Sequence, residues 1–175
     1  MIKPIYLKNV ILTTVLALTM AACGFHLRGN IPLPSGISNM FIEAPKGDFK
    51  DQLSQVLTNA GAELATRPGG ADVVLKIISA TTNRTVGTLD ARGKADSYNL
   101  VFSVSYRLED PAGEKIRSAK IKETRRYNFN PELVLESESE EADLLTDMEQ
   151  EAAINIVRQL ASVTDYPAGS ASPVQ

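Results

Sequence analysis

Residues 98–109 read YNLVFSVSYRLE, and this stretch decides the fold. Large apolar side chains occupy its even positions, while polar residues and Val101 fill the odd ones. A period of two over a dozen residues predicts a long β-strand with one buried face. The DPAG that follows, residues 110–113, predicts a tight turn. Residues 115–129 are therefore expected to return as the second arm of a hairpin.

Two more strands are predicted on the N-terminal side of this hairpin. Residues 72–86 are rich in Val, Ile and Thr, which favour strands. Residues 40–44, MFIEA, are short and mainly apolar, and Pro45 ends the run.

Helical spacing of apolar residues appears twice. Between Phe49 and Ala60 they recur at i, i+4, i+7, i+8 and i+11, which predicts a helix with Asp48 as its N-cap and Gly61 beyond its C-terminus. A second helix is expected over residues 140–163, after a short helical stretch that Asn130 and Pro131 would begin. Its apolar stripe is Leu145, Met148, Ala152, Ile156 and Leu160.

The order strand, helix, three strands, helix predicts an α+β fold. Its expected form is a mainly antiparallel four-stranded sheet with two helices packed on one face. One domain is expected over residues 39–165. Residues 166–175 are rich in Pro, Ala, Gly and Ser and are expected to form a disordered tail.

The N-terminus has the pattern of a secretory signal over residues 1–22. Lys3 and Lys8 give a positive start, and a mainly apolar run follows at residues 10–22. Spanning a bilayer takes roughly 20 residues, so this shorter run favours a cleaved signal over a transmembrane anchor.

Cys23, the only cysteine, follows this signal directly. Met20-Ala21-Ala22-Cys23 resembles the lipobox of bacterial lipoproteins, which implies acylation of Cys23, and Gly24 implies sorting to the outer membrane. With Cys23 acylated, residues 23–38 would form a lipidated tether. The alternative is ordinary signal cleavage beside an unmodified cysteine.

Composition excludes several classes of function. Loss of Lys3 and Lys8 with the signal changes the formal net charge from −3 to −5, which argues against nucleic-acid binding. His26 is the only histidine and lies beside the predicted anchor, so a histidine-based catalytic site is not expected. No metal-ligand or phosphate-loop spacing is present, and no enzyme activity or cofactor is predicted. A pair of carboxylates for acid–base chemistry stays open as an alternative, because the sequence does not show which acids meet in space.

The charges are unevenly distributed. Residues 132–151 contain nine acidic residues and no Lys or Arg, and acids near a helix start favour the helix dipole. Residues 84–126 contain ten basic and six acidic residues. Alternate positions of one predicted strand carry Lys120, Lys122, Thr124 and Arg126, and the loop at residues 87–95 carries Arg92 and Lys94.

Two interpretations of these basic residues remain open. They could form an ordinary solvated sheet face. Alternatively, they could form a cationic surface for an anionic lipid headgroup, since Arg can bind phosphate through two parallel hydrogen bonds.

The mature N-terminus resembles a known family. Residues 23–28, CGFHLR, are similar to the C-G-aromatic-x-L-R start of the lipopolysaccharide-assembly lipoproteins called LptE. The order of elements, the Arg92-Gly93 loop before Tyr98, and Phe129-Asn130-Pro131 extend the resemblance over most of the mature chain.

The resemblance implies a non-enzymatic protein that plugs the LptD β-barrel, helps it assemble and binds lipopolysaccharide. Arg92 is the matched candidate for lipopolysaccharide contact, while Lys94, Lys120, Lys122 and Arg126 are added from the charge pattern. The acidic stretch after Pro131 departs from the family, where a basic residue can occur. The alternative function is a free-standing scaffold lipoprotein of another envelope complex.

Overall fold

The computed structural model describes residues 32–163 and contains five strands and two main helices in that range. The elements are β1 (Asn39–Glu43), α1 (Asp48–Asn59), β2 (Glu63–Leu64), β3 (Val73–Leu89), β4 (Ala95–Glu109), β5 (Lys115–Asn128) and α2 (Val134–Ala161). Two short 3₁₀ turns lie at Ser35–Ile37 and Pro68–Gly70. The predicted signal, Cys23 and the predicted tail lie outside the described residues.

The sheet is mixed and has five strands in the order β2-β1-β3-β4-β5. β1 is parallel to both β2 and β3, while the pairs β3–β4 and β4–β5 are antiparallel. The prediction of a mainly antiparallel four-stranded sheet is therefore wrong in detail, although the α+β class is correct. The missed strand, β2, has only two residues, both exposed, so it carries no periodic signal.

Both helices pack on the face of β4 that carries its large apolar residues. The Phe49 ring of α1 lies 5.2 Å from the Phe102 ring of β4. On the same face of β4, the Tyr106 hydroxyl donates a hydrogen bond of 2.8 Å to Oε1 of Gln159 in α2. The even residues of β4 from Leu100 to Leu108 are buried by this packing. The predicted alternation is thus confirmed, and the core lies between one sheet face and two helices.

Helix α1 ends as its sequence predicts but begins differently. Gly61 has a φ of 89°, its N–H donates to the Thr58 carbonyl, and the Ala62 N–H donates to the Leu57 carbonyl. These two bonds form a Schellman C-cap, which favours glycine at this position. At the other end Gly47 is the N-cap, and no side chain caps the helix. The predicted capping role of Asp48 is therefore wrong.

Helix α2 begins at Val134 rather than near residue 140, and Leu133 occupies its N-cap position. Asn130 does not cap it, because its Oδ1 accepts a hydrogen bond from the N–H of Glu132 within the preceding turn. The predicted apolar stripe is confirmed, since Met148, Ala152, Ile156 and Leu160 are fully buried and Leu145 is partly buried against the same core. Within residues 32–163, no helix combines the length and hydropathy that a bilayer-spanning segment needs.

Candidate functional site

The turn between β3 and β4 carries two of the predicted site residues, Arg92 and Lys94. Strand β3 continues through Gly87 to Leu89, so this turn is shorter than the predicted loop. Oδ1 of Asp90 accepts hydrogen bonds from the N–H groups of Arg92 (2.8 Å) and Lys94 (2.9 Å). The Lys94 and Arg92 bonds hold the pKa of Asp90 below its ordinary value. An ionised Asp90 therefore fixes the turn.

The Arg92 side chain lies along its own turn. Its Nη2 is 3.1 Å from Oδ2 of Asp90, and its Nε donates to the same oxygen. The side chain is nevertheless 78% exposed. An exposed ion pair contributes little to stability, so an external phosphate can replace Asp90 as the partner of this guanidinium at small cost.

A groove of about 630 Å³ lies beside this turn, at the end of the sheet where β5 leads into the segment before α2. Its lining contains positively and negatively charged side chains, amide side chains and one aromatic ring. The residues are Asp90, Arg92, Lys94, Ala95, Asp96, Asn128, Phe129, Asn130, Pro131 and Glu132. Three of them are acidic, so the groove suits a polar ligand with hydroxyl groups as well as phosphate better than a simple anion.

The predicted cationic strand positions lie together on β5. The β4–β5 register places Lys120 opposite Ser105, Lys122 opposite Ser103 and Arg126 opposite Asn99, without a register shift between them. These partners are odd-numbered β4 residues, which face away from both helices. Lys120, Lys122 and Arg126, here called the cationic row, are all exposed. Their predicted common face is confirmed, and their role in binding stays a prediction.

The structure does not gather the five basic residues into one pocket. Arg126 pairs with Asn99, which lies five residues beyond Lys94, and its Nε donates to Asn99 Oδ1 at 3.1 Å. Lys120 pairs with Ser105, which lies about 34 Å from Ala95 along a strand that rises ~3.4 Å per residue. Arg92 and Lys94, here called the cationic tip, are therefore separate from the cationic row, which extends away from them along β5.

A polar cluster that the sequence analysis did not predict lies on the helix side, centred on Glu141 of α2. Oε2 of Glu141 accepts hydrogen bonds from Arg84 Nη1 (2.9 Å) and from the Tyr127 hydroxyl. The Arg84 guanidinium also lies 4.8 Å from the Tyr98 ring centroid. Burial acts to raise the pKa of Glu141, but the Tyr127 and Arg84 hydrogen bonds outweigh it and hold this pKa below its ordinary value. The cluster joins α2 to β3, β4 and β5. Its members are far apart in the sequence and come together only when the strands pair in the native register.

A second ion cluster lies on the helix-free face near the opposite end of the sheet. Glu109, whose side chain is 7% exposed, binds Lys76 at 2.9 Å and Arg107 at 3.2 Å. Lys76 also lies 3.6 Å from Glu43 of β1. These pairs neutralise one another, so this end of the face lacks the excess positive charge of the cationic row. Among residues 32–163, no three His, Cys, Asp or Glu residues are grouped so as to hold a metal ion.

The family relationship follows from comparison with known proteins. A family model described as LptE, lipopolysaccharide-assembly, matches residues 37–160. This range spans the elements from β1 to the last turn of α2. The chain belongs to the LptE family.

Relatives agree with this assignment over nearly the whole chain. The LPS-assembly lipoprotein LptE of Photorhabdus laumondii is 29% identical over 163 residues, covering 90% of this chain and 88% of that protein. The solution NMR structure of lipoprotein B from Nitrosomonas europaea matches with a TM-score of 0.68 and 27% identity, over 79% of this chain and 91% of that one. The crystal structure of a minor lipoprotein from Acinetobacter baumannii shares the fold, with a TM-score of 0.62, 24% identity, and coverage of 75% and 94%. The LptE fold of this chain thus occurs in lipoproteins.

Proposed function

We propose that this LptE-family chain is a non-enzymatic outer-membrane lipoprotein of lipopolysaccharide assembly, which plugs an LptD-like β-barrel, helps it assemble and binds lipopolysaccharide during transport. The observation that carries the binding part is the exposed cationic row on the helix-free face, with the separate cationic tip beyond it. Both present Lys and Arg side chains to an external anion. The phosphates of lipopolysaccharide are such anions, and Arg binds them with two parallel hydrogen bonds.

The polar groove beside Arg92 supports a ligand that combines phosphate with sugar. Its cations could bind phosphate, while the side-chain amides of Asn128 and Asn130 could bind hydroxyl groups. Its acids Asp90, Asp96 and Glu132 would repel an anion that offered charge alone. We therefore assign the phosphorylated sugar part of lipopolysaccharide to this groove, and further phosphates to the cationic row.

The helix-free face suits the interior of a barrel. At the centre of this face, β4 presents Asn99, Val101, Ser103, Ser105 and Arg107. The face is therefore mainly polar, even though β4 lies between two paired strands, β3 and β5. A water-filled lumen could surround such a face without burying unpaired apolar surface. Lipid anchoring at Cys23 would hold the protein at the membrane, because several acyl chains together give a durable attachment.

Copurification tests the barrel part of the proposal. The tagged, full-length protein is extracted from outer membranes in mild detergent, and the proteins recovered with it are identified by mass. We expect one large β-barrel in near-equal amount. Recovery of the lipoprotein alone, or with unrelated envelope proteins, would favour the alternative function, a free-standing scaffold of another envelope complex.

Lipopolysaccharide binding is tested with purified protein and labelled lipopolysaccharide. Arg126→Ala and Arg92→Ala are expected to weaken binding, each by roughly three- to tenfold at low salt, since each removes a charge-assisted contact. Arg125→Ala is the matched control, because Arg125 is also exposed on β5 but faces the helix side, opposite Leu100. Equal losses from Arg125→Ala and Arg126→Ala would show that net charge, rather than the cationic row, governs binding.

A further inference from the structure

Most of the outer edge of β3 has no neighbouring strand. β1 pairs with β3 only from Val73 to Lys76 and then ends, whereas β3 continues to Leu89. In the described part of the chain no other strand pairs with this edge. Between the register shifts after Ile77 and Val86, residues 79–86 pair regularly with β4. About every second residue of this segment therefore directs its backbone N–H and C=O groups away from the sheet.

The two long edges of the sheet differ in charge. β5 carries six basic residues, and charges on an edge strand, Lys above all, oppose pairing with another chain. Residues 79–86 carry one charged side chain, Arg84, which is already bound to Glu141. The β5 edge is thus protected, while the β3 edge offers a segment without unpaired charge. Such a segment matches an uncharged extended strand.

A cavity of about 210 Å³ lies on the helix side of this same edge. Its lining includes Ile77, Ala80 and Thr82 of β3 together with the Phe49 and Phe102 rings. Four charged residues also line it, namely Lys46, Asp48, Lys50 and Glu149. A strand added beside β3 beyond Glu43 would continue the line of β1, and its helix-facing side chains would point toward this cavity. In strand addition, backbone hydrogen bonds supply affinity and pockets for alternate side chains supply specificity.

We propose that residues 79–86 of β3 accept an extended segment of a different polypeptide, which adds a strand in line with β1 and places an apolar side chain in the cavity beside Phe49 and Phe102. A second copy of this chain fits less well. Its own β3 would present Ala80, Thr82, Arg84 and Val86 to the cavity, and of these only Val86 is apolar and larger than alanine. The inference goes beyond the proposed function, because it concerns neither the cationic row nor the groove beside Arg92.

Site-specific photo-crosslinking in the full-length, membrane-anchored protein tests this contact. A photoreactive phenylalanine analogue is placed at Thr81 or Thr85 on the β3 edge and, as the control, at Thr124 on the β5 edge. All three positions face away from the helices, and none of them is buried. We expect the β3 probes to crosslink to one short contiguous segment of one other polypeptide. Absence of a crosslink above the Thr124 level, or crosslinks only to a second copy, would overturn the proposal.

Charged substitutions give a second test with the probe at Asn83. Thr81→Lys combined with Thr85→Lys should lower the yield of the crosslinked product by about tenfold, whereas Thr124→Lys should leave it unchanged. Ala80→Leu should lower the same yield, because the larger side chain would fill the cavity. This variant leaves the β3 edge uncharged, so it tests the cavity separately from the edge. Thermal unfolding checks that each variant folds. An unchanged yield in folded Lys and Leu variants would refute the contact, while their lipopolysaccharide binding reports separately on the proposed function.

Discussion

Arg84 and Glu141 tie strand β3 to helix α2. Nη1 of Arg84 lies 2.9 Å from Oε2 of Glu141, and the Tyr127 hydroxyl donates to the same oxygen. The Arg84 side chain is half exposed, whereas that of Glu141 is 27% exposed. One carboxylate thus connects the N-terminal half of α2 to β3 and β5, the strands on either side of β4. Its neutralisation should loosen both connections together.

Glu141→Gln is expected to lower the free energy of unfolding by about 1 kcal/mol, because the partly exposed ion pair and the charged hydrogen bond are both weakened. This corresponds to a fall in Tm of ~2–4 °C for a chain of this size. Glu140→Gln is the matched control, since it removes the same charge at an exposed neighbouring position. Equal effects of the two variants in thermal unfolding would show that the cluster contributes no more than general charge repulsion.

Acid should destabilise the protein through Glu109 and Glu141. Hydrogen bonding from Lys76, with help from Arg107, holds the pKa of Glu109 below its ordinary 4.5, and Tyr127 and Arg84 do the same for Glu141 against the effect of burial. A carboxyl with a lowered folded-state pKa contributes stability above its unfolded pKa and loses it as pH falls through the folded pKa. Urea unfolding should therefore show falling stability below about pH 4.5. The Glu141→Gln variant should lose less stability over the same pH range, and parallel curves for the two proteins would contradict this account.

Glu149→Gln should stabilise the protein at neutral pH. Burial, together with the charge of Asp48, raises the pKa of Glu149. Gln52 Nε2 donates to Glu149 Oε2 at 3.1 Å, while Oε1 of Gln52 is buried without a hydrogen-bond partner among the described residues. A glutamine at 149 could donate to that oxygen and would remove the charge, with an expected gain of about 1 kcal/mol.

The pH dependence of this gain gives the decisive measurement. A raised carboxyl pKa means that the folded state loses stability as pH rises through that pKa. The advantage of Glu149→Gln in urea unfolding should therefore be larger at pH 8 than at pH 4. Asp147→Asn, at an exposed position on the same helix, is the control. A gain that did not change with pH would exclude the ionised carboxylate as its cause.

Gly87 of β3 is required by a close approach to β4. A Cβ at this position would lie 2.6 Å from Ser97 Oγ and 3.3 Å from the Ser97 carbonyl oxygen. Gly87→Ala should therefore destabilise the protein by about 1–3 kcal/mol, the usual cost of forcing extra volume into a packed site. Gly69→Ala is the control, since a Cβ at Gly69 would meet no described atom within 4 Å. Similar Tm values for the two variants would mean that β3 and β4 separate there without cost.

The sequence predicted those parts of the fold that rest on local periodicity. The alternation in β4 and the stripe from Met148 to Leu160 each mark a buried face, and both are confirmed. The strand β2 could not be predicted, because two exposed residues carry no pattern and only tertiary pairing with β1 defines them. The parallel arrangement of β1 was missed for the same reason, since it depends on where the chain returns after α1.

The candidate site shows the same division between local and long-range information. A common face for Lys120, Lys122 and Arg126 follows from strand geometry alone and is confirmed by the register. The ion pair of Arg92 with Asp90 depends on the shape of the turn, and the Arg84–Glu141 contact joins residues 57 positions apart. Contacts of this second kind follow from the fold, and the sequence carries no separate signal for them.

The two turns of the β3–β4–β5 meander share one construction. In Asp90–Lys94 and Asp110–Glu114 alike, the first Asp accepts from the backbone N–H of the fifth residue, and glycine occupies the fourth position with positive φ. Each turn closes a loop of very few residues, which costs little chain entropy. Pairing of β1 with β3 instead requires closure of the much longer loop formed by residues 44–72, which costs more chain entropy. Contact order therefore predicts that the meander forms early, so we expect the cationic row to be exposed before the hydrophobic core is sealed.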